Sequence, residues 1–157
     1  MLVGIISDSH DHLDNINKAV GLINSKNIDF LIHCGDIVSP FSANLLNDLN
    51  CEYAGVFGNN DGDWQAINKF TKNRFNKGPM KVDRDGKKII IFHEPFIISD
   101  ISLNIDIILY GHTHHKDLRK KGAQLILNPG ALAGYSSMES TISILDTKTM
   151  DAEFISI

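Results

Sequence analysis

Cysteine is scarce in this sequence, with only Cys34 and Cys51 among 157 residues. The two do not form a Cys-x-x-Cys pair, and they are too few for a disulfide framework. Each lies in or beside an apolar run, which favours two buried free thiols in a reducing compartment.

Long apolar runs are also missing, since none approaches the roughly 18 residues that a membrane-spanning helix requires. Residues 1–6 lack the basic start and the small-residue cleavage site of a secretory signal peptide. We therefore expect a cytoplasmic protein with no membrane partner.

Positive charge is in deficit, because 15 Lys and Arg stand against 19 Asp and Glu, which gives a net charge of −4. Binding to a nucleic-acid backbone needs clustered cations, and the basic groups at 87–88 and 119–121 are too small to supply them. The glycine-rich loops that cradle nucleotide phosphates are absent as well. These absences argue against nucleic acid as a partner.

The length and an apolar fraction of 43% predict one globular domain over residues 1–157. In the first half, apolar runs alternate with helical patterns, which indicates a βαβ order with parallel strands, and we expect the second half to be mostly antiparallel. Asp85-Gly86 predicts a type I′ hairpin turn.

The predicted strands cover 2–6, 30–34, 52–57, 80–84, 87–92, 105–110, 117–121, 124–127, 141–146 and 153–157. The predicted helices cover 15–26, 63–73, 97–103 and a segment that begins at Pro40, with Phe41, Leu45 and Leu49 as its apolar stripe.

Side chains that commonly bind metals follow five of the predicted strands, at the point where each strand ends. They are Asp8, His10, Asp36, Asn59, His93, His112 and His114. Any one of them has an ordinary explanation as a helix cap or a turn residue. Because open α/β sheets bind ligands at the carboxyl ends of their strands, five such endings favour one common site.

Seven ligands exceed what one tetrahedral ion needs, and they suit a pair of ions about 3.5–4 Å apart. The set holds imidazoles and carboxylates without thiolates, which favours Mn, Fe, Co, Ni or Zn over Ca or Mg. Two divalent ions beside two aspartates leave a positively charged site that attracts phosphate.

Five sequence blocks carry a family resemblance: Asp8-Ser9-His10, Gly35-Asp36, Gly58-Asn59-x-Asp61, His93 and Gly111-His112-Thr113-His114. The chain resembles the calcineurin-like metallophosphoesterases, and more closely their small single-domain phosphodiesterase branch. The resemblance implies an α/β fold, a four-layer αββα sandwich of two mixed β-sheets flanked by helices. It also implies a phosphodiesterase that hydrolyses small phosphate esters by attack of a metal-bound hydroxide.

The same resemblance implies how the ligands divide between two ions. Asp8, His10 and His114 would bind one ion. Asn59, His93 and His112 would bind the other, and Asp36 would bridge the two. We accordingly expect the catalytic residues to be Asp36, Asn59 and His93.

One departure from the family concerns the leaving group. Many relatives have a histidine, thought to protonate the leaving group, where this chain has Asn60, and an amide has no proton to give at neutral pH. We expect weak or selective activity, best with good leaving groups such as aryl esters, unless another group acts as the acid. His12 is the candidate by position, and the alternative is an ordinary histidine at a helix start.

Other positions keep further interpretations open. His33 is expected to orient a ligand rather than bind a metal, and Asp61 is a candidate for a similar role. Glu94-Pro95 follows His93 where relatives usually have glycine, which leaves the shape of the pocket open. The competing function is a non-catalytic or weakly catalytic binding scaffold of the same fold with a structural metal site. The oligomeric state, a homo-oligomer included, stays open too.

Overall fold

Two mixed β-sheets form the centre of the molecule in a computed structural model, which describes residues 1–95, 98, 101, 104–135 and 139–157. The strands are β1 Leu2–Ile6, β2 Phe30–His33, β3 Glu52–Phe57, β4 Phe75–Lys77, β5 Met80–Arg84, β6 Lys87–Ile91, β7 Ile107–Leu109, β8 Lys116–Lys121, β9 Gln124–Pro129, β10 Thr141–Asp146 and β11 Asp151–Ser156. The helices are α1 Leu13–Ser25, α2 Pro40–Leu45 and α3 Trp64–Phe70, and a 3₁₀ turn, Leu46–Asp48, follows α2.

The first sheet has the order β11-β10-β1-β2-β3-β4, and β1 to β4 run parallel. Its central strands β1 and β2 are apolar on both faces, and alternate residues pack in two different cores because side chains alternate across a strand. Ile6 packs against the helices, including Ile16 of α1, whereas Ile5 packs against the second sheet. The predicted βαβ order of the first half is confirmed.

The second sheet has the order β5-β6-β7-β9-β8, with β6, β7 and β9 parallel and the two edge strands antiparallel. The prediction of a mostly antiparallel second half holds for four of the six strand pairs in which β5 to β11 take part, and it fails for the two pairs at the centre of this sheet. The connection from β6 to β7 is long enough to return the chain to the same end of the sheet, which permits parallel pairing. Asp85 and Gly86 both have positive φ, 52° and 73°, as the predicted type I′ turn requires.

The two sheets pack face to face through a shared apolar core that includes Val3, Ile32, Ile91 and Leu109. A further cluster, with Ile90, covers the outer face of the second sheet. The predicted sandwich of two mixed sheets with helices outside is confirmed. The helix predicted over 97–103 lies mostly outside the described residues. In the described part of the chain, no helix has the length and apolarity needed to cross a membrane.

The predicted apolar stripe of α2 is wrong at Phe41, whose side chain is 77% exposed. Ser39 caps this helix, and Pro40 begins it as expected. The residues that face the core are Ser42, Ala43 and Leu46, one position along from the predicted stripe. Leu46 is therefore fully buried, whereas Phe41 lies on the outside of the helix.

This correction predicts unequal costs for two substitutions. Leu46→Ala should lower the free energy of unfolding by about 2–5 kcal/mol, because it leaves a cavity in the core. Phe41→Ala should change it by no more than about 0.5 kcal/mol. Urea unfolding followed by circular dichroism measures both, and equal losses would show that Phe41 is buried after all.

Candidate metal centre

The strand ends bring all seven predicted ligand residues to one edge, where the two sheets meet. They follow β1 (Asp8, His10), β2 (Asp36), β3 (Asn59), β6 (His93) and β7 (His112, His114). The backbone N–H of Asp8 donates to the carbonyl of Gly35 at 2.9 Å, within the first sheet. The backbone N–H of His112 donates to Oδ2 of Asp8 at 3.0 Å, which joins the second sheet to the first.

One group of ligand atoms is formed by Asp8, His10 and His114, the three residues expected to share an ion. The two imidazole Nε2 atoms lie 3.2 Å apart. Oδ1 of Asp8 lies 3.3 Å from Nε2 of His114 and 3.9 Å from Nε2 of His10. Three ligand atoms from two sheets thus point at one small volume.

A second group consists of Asp8, Asp36 and His93. Nε2 of His93 lies 3.3 Å from Oδ2 of Asp36 and 3.9 Å from Oδ1 of Asp8. Oδ1 of Asn59 lies 3.0 Å from Nε2 of His93 and 2.9 Å from Nδ1 of His112. Asp8 therefore reaches both groups, in addition to the Asp36 that the resemblance gives as the bridge.

Two features of these atoms fit a bound cation. Oδ1 of Asp8 is buried and accepts no hydrogen bond from the described residues. Nδ1 of His93 lies 2.9 Å from the carbonyl oxygen of Cys34, which only accepts, so Nδ1 carries the proton and Nε2 presents its lone pair to the carboxylates. A lone pair facing carboxylate oxygens is stable only when a proton or a metal ion lies between them. Imidazole and carboxylate donors suit a transition ion.

The charges at this edge are coupled. Burial lowers the pKa of His93, but the Asp36 and Asp8 carboxylates outweigh it and raise that pKa above its usual value. Asp8 likewise raises the pKa of His114. Burial works to raise the pKa of Asp36, but hydrogen bonds with His93 and Asn60 hold it well below its usual range. A metal ion would therefore compete with protons for the imidazoles of His93 and His114.

The backbone is strained where the ligands project. Left-handed φ values between 41° and 67° occur at five of the predicted ligands, Asp8, His10, Asp36, His112 and His114. This conformation costs non-glycine residues on the order of 1–2 kcal/mol each, and such strain tends to concentrate at functional sites. These turns orient side chains that are close in sequence towards the same centre within very short loops.

Close packing of the loops explains why a glycine stands at position 111. A Cβ at this position would collide with the Ser7 hydroxyl and with Oδ2 of Asp8. The glycine thus allows the loop after β7 to lie directly against the loop after β1.

Asp61 holds the loop after β2 against the loop after β3. Its carboxylate accepts backbone hydrogen bonds from Asp36 at 3.1 Å, Val38 at 2.6 Å and Gly58 at 2.7 Å. The side chain is buried, and burial raises its pKa. Asp61 therefore positions Asp36 and Asn59 relative to each other.

His33 links the loops after β1 and β2. Its Nδ1 accepts a hydrogen bond from the Gly35 N–H at 3.1 Å, so its Nε2–H donates to Oγ of Ser9 at 3.1 Å. Complete burial lowers the pKa of His33 to about 4, which keeps the ring neutral. These contacts agree with the expected role of orienting a ligand loop.

Asn60 and His12 both have defined contacts. The backbone N–H of Asn60 donates to Oδ1 of Asp36 at 2.8 Å, and its amide Nδ2 donates to Oδ2 at 2.7 Å. His12 is the N-cap of α1, with Nδ1 accepting from the Asn15 N–H at 3.3 Å. His12 thus has the contacts of a helix-start histidine, and its role as the acid stays a prediction.

Sequence interpretation missed a cleft of about 300 Å³ beside the ligands. Asn59 and His93 line it together with Phe57, Trp64, Lys77, Phe92 and Glu94. Trp64, at the start of α3, is 40% exposed. The available signal was a tryptophan at the first turn of a helix that directly follows the Asn59–Asp61 block.

Comparisons with known proteins agree with this architecture. Residues 1–150 match the model of the calcineurin-like phosphoesterase superfamily domain. Phosphodiesterase MJ0936 of Methanocaldococcus jannaschii is 35% identical over 156 residues, with 94% of each chain covered. A solved archaeal phosphodiesterase superimposes with a TM-score of 0.94 at 34% identity, with both chains covered completely. The Escherichia coli phosphoesterase Yfce, at 16% identity and a TM-score of 0.75 over both full chains, shares the fold.

The neutral state of His33 predicts a pH-dependent stability. The unfolded chain takes up a proton on this histidine near pH 6.5, whereas the native chain does so only near pH 4. As the pH falls from about 6.5 to about 4, protonation of His33 in the unfolded chain lowers the free energy of unfolding. The loss reaches about 3 kcal/mol below that range. We expect His33→Gln to remove this part of the slope in urea unfolding measured from pH 7 to pH 4.

The exposed His115 offers a matched control. His115→Gln should leave the pH slope of the wild type unchanged. Parallel curves for the wild type and His33→Gln would contradict a buried neutral His33.

Proposed function

The chain belongs to the calcineurin-like phosphoesterase superfamily and is a metal-dependent phosphoester hydrolase, and we propose that it hydrolyses phosphodiesters with two divalent ions held where its two sheets meet. The observation that carries the proposal is the buried Oδ1 of Asp8, which accepts no hydrogen bond within the described part of the chain and lies 3.3–3.9 Å from the imidazoles of His10, His93 and His114. The preference for diesters is supported by the similar chain named as a phosphodiesterase.

The proposed ligands divide as the family resemblance implies. Asp8, His10 and His114 would hold one ion. Asn59, His93 and His112 would hold the other, with Asp36 between them. The donor types favour Mn, Fe, Co, Ni or Zn. When bound, such ions supply a water of lowered pKa and neutralise the charge on the phosphoryl oxygens.

The chain's own contribution is to keep these groups in place. The Cys34 carbonyl fixes the ring of His93 with Nε2 towards the centre. Asn60 holds both carboxylate oxygens of Asp36, and Asp61 holds its backbone. The Asp36 carboxylate is consequently ionised and oriented before any substrate arrives, which reduces the rearrangement needed in the transition state.

The central test measures metal content and turnover together. Chelator-treated protein should regain turnover of bis(p-nitrophenyl) phosphate with Mn²⁺ or Ni²⁺, and elemental analysis should find two ions per chain. Asp8→Asn removes a charge that reaches both ligand groups, and we expect it to lower kcat by about 100-fold or more and to reduce the metal content.

Asp83→Asn is the matched control, since Asp83 is an exposed aspartate on β5. It should change neither metal content nor turnover. Metal binding without turnover for any ion would instead favour the non-catalytic scaffold, and failure to bind any transition ion would contradict both functions.

A second prediction concerns the leaving group. Asn60→His introduces a group that can donate a proton at neutral pH, so it should raise kcat on an alkyl diester by about tenfold or more relative to an aryl diester. Asn60→Ala controls for loss of the hydrogen bonds to Asp36 and should lower both rates alike. Equal changes on both esters for Asn60→His would contradict a missing acid.

A further inference from the structure

Trp64 is a rigid aromatic surface at the mouth of the cleft. Its indole N–H donates to the carbonyl oxygen of Asp61 at 2.7 Å. Its ring stacks on Phe57 with centroids 4.9 Å apart and planes 12° apart. Both contacts fix the ring, yet 40% of the residue is exposed. A fixed and half-exposed indole can bind a flat group with little further loss of side-chain entropy.

The cleft is continuous with the metal centre, because Asn59 and His93 belong to both. Phe57, Asn59, Asp61 and Trp64 also lie in one eight-residue stretch of the chain. A phosphoryl group at the centre would therefore direct one of its ester groups into this cleft.

The walls of the cleft indicate the kind of group it accepts. Phe57, Trp64 and Phe92 supply aromatic surface. Lys77 and Glu94 add one positive and one negative charge, which offset each other in a lining that also includes the imidazole of His93. This composition suits an uncharged aromatic group rather than a second phosphate, which Glu94 would repel.

We propose that this cleft is the binding site for an aromatic ester group, an aryl or nucleoside moiety, that stacks on Trp64. The inference rests on the proposed phosphodiesterase function and specifies its substrate class. Glu94, which stands where relatives usually have glycine, is part of the wall of this cleft. In this proposal it helps to select the ester group. Base–aromatic stacking is strong enough to improve binding by about tenfold.

Trp64 is the only tryptophan in the chain, so its fluorescence reports directly on this cleft. The probes are phenylphosphonate and methylphosphonate, which carry the same head group and cannot be hydrolysed as esters. With the Zn²⁺-loaded protein, phenylphosphonate should quench the fluorescence and bind about tenfold more tightly than methylphosphonate. The phosphonate analogue of adenosine 5′-monophosphate tests for a nucleoside. If it binds more tightly than phenylphosphonate does, the site is assigned to nucleosides.

Variants followed by calorimetry test whether Trp64 provides this preference. Trp64→Ala should bind both simple phosphonates equally, and Trp64→Phe should retain most of the difference. Phe70→Ala is the matched control, because Phe70 lies in the same helix, is 43% exposed and does not line the cleft. It should keep the full preference.

The outcomes separate this inference from the function on which it rests. If methylphosphonate binds the loaded centre but the phenyl group adds nothing, the aromatic site is wrong and the phosphoesterase proposal stands. A preference that survives in Trp64→Ala likewise overturns the inference. If neither phosphonate binds a folded, Zn²⁺-loaded protein, both proposals fail.

Discussion

The burial of two aspartates dominates the physical chemistry of this molecule. Asp8 and Asp36 are 0% and 1% exposed, and their oxygens lie at the same edge of the sandwich. Removing a carboxylate from water costs several kcal/mol unless positive charge and hydrogen bonds compensate it. The imidazoles of His93 and His114 supply part of that compensation, and the neighbouring carboxylates raise the pKa of both rings. Divalent ions bound at the same place would supply a stronger positive charge, so metal binding would stabilise the native fold.

A second layer of contacts maintains this unfavourable arrangement. Asp61 ties two loops through three backbone N–H groups, and the neutral ring of His33 ties another pair. The strained turns at the ligands raise the energy of the edge, whereas the apolar core between the sheets lowers that of the whole fold. The core between the sheets thus stabilises the fold, and the strained turns at the edge that holds the proposed metal ligands reduce that stability in part.

The meeting of the proposed ligand residues at one edge could be predicted because parallel strands end at the same sheet edge, so Asp8 and Asp36 could be placed together without any knowledge of loops. Pairing direction in the second sheet was not predictable, since it depends on how the connection after β6 returns. The exposure of Phe41 depends on which side of α2 packs against the core, and the stripe of Ser42, Ala43 and Leu46 contains too few large apolar side chains to be recognised from periodicity. The exposure of Trp64 was not predictable for a related reason, because a helical stripe does not reveal which of its residues reaches the end of the core.

The two halves of the centre differ in their surroundings. The side chains of His10 and His114 are 19% and 20% exposed, whereas that of His93 is 3% exposed and borders the aromatic cleft. One half is thus open to water directly, whereas the other opens onto aromatic surface with the exposed Asn59 at its rim. A displacement at phosphorus needs the attacking oxygen and the departing oxygen in line, on opposite sides. Exposed imidazoles on one side and an aromatic cleft on the other would give the water and the organic group of an ester different places to bind. The loops after β1 and β3 both lead into helices, so this difference comes from the side chains that line the cleft, Phe57 and Trp64 among them.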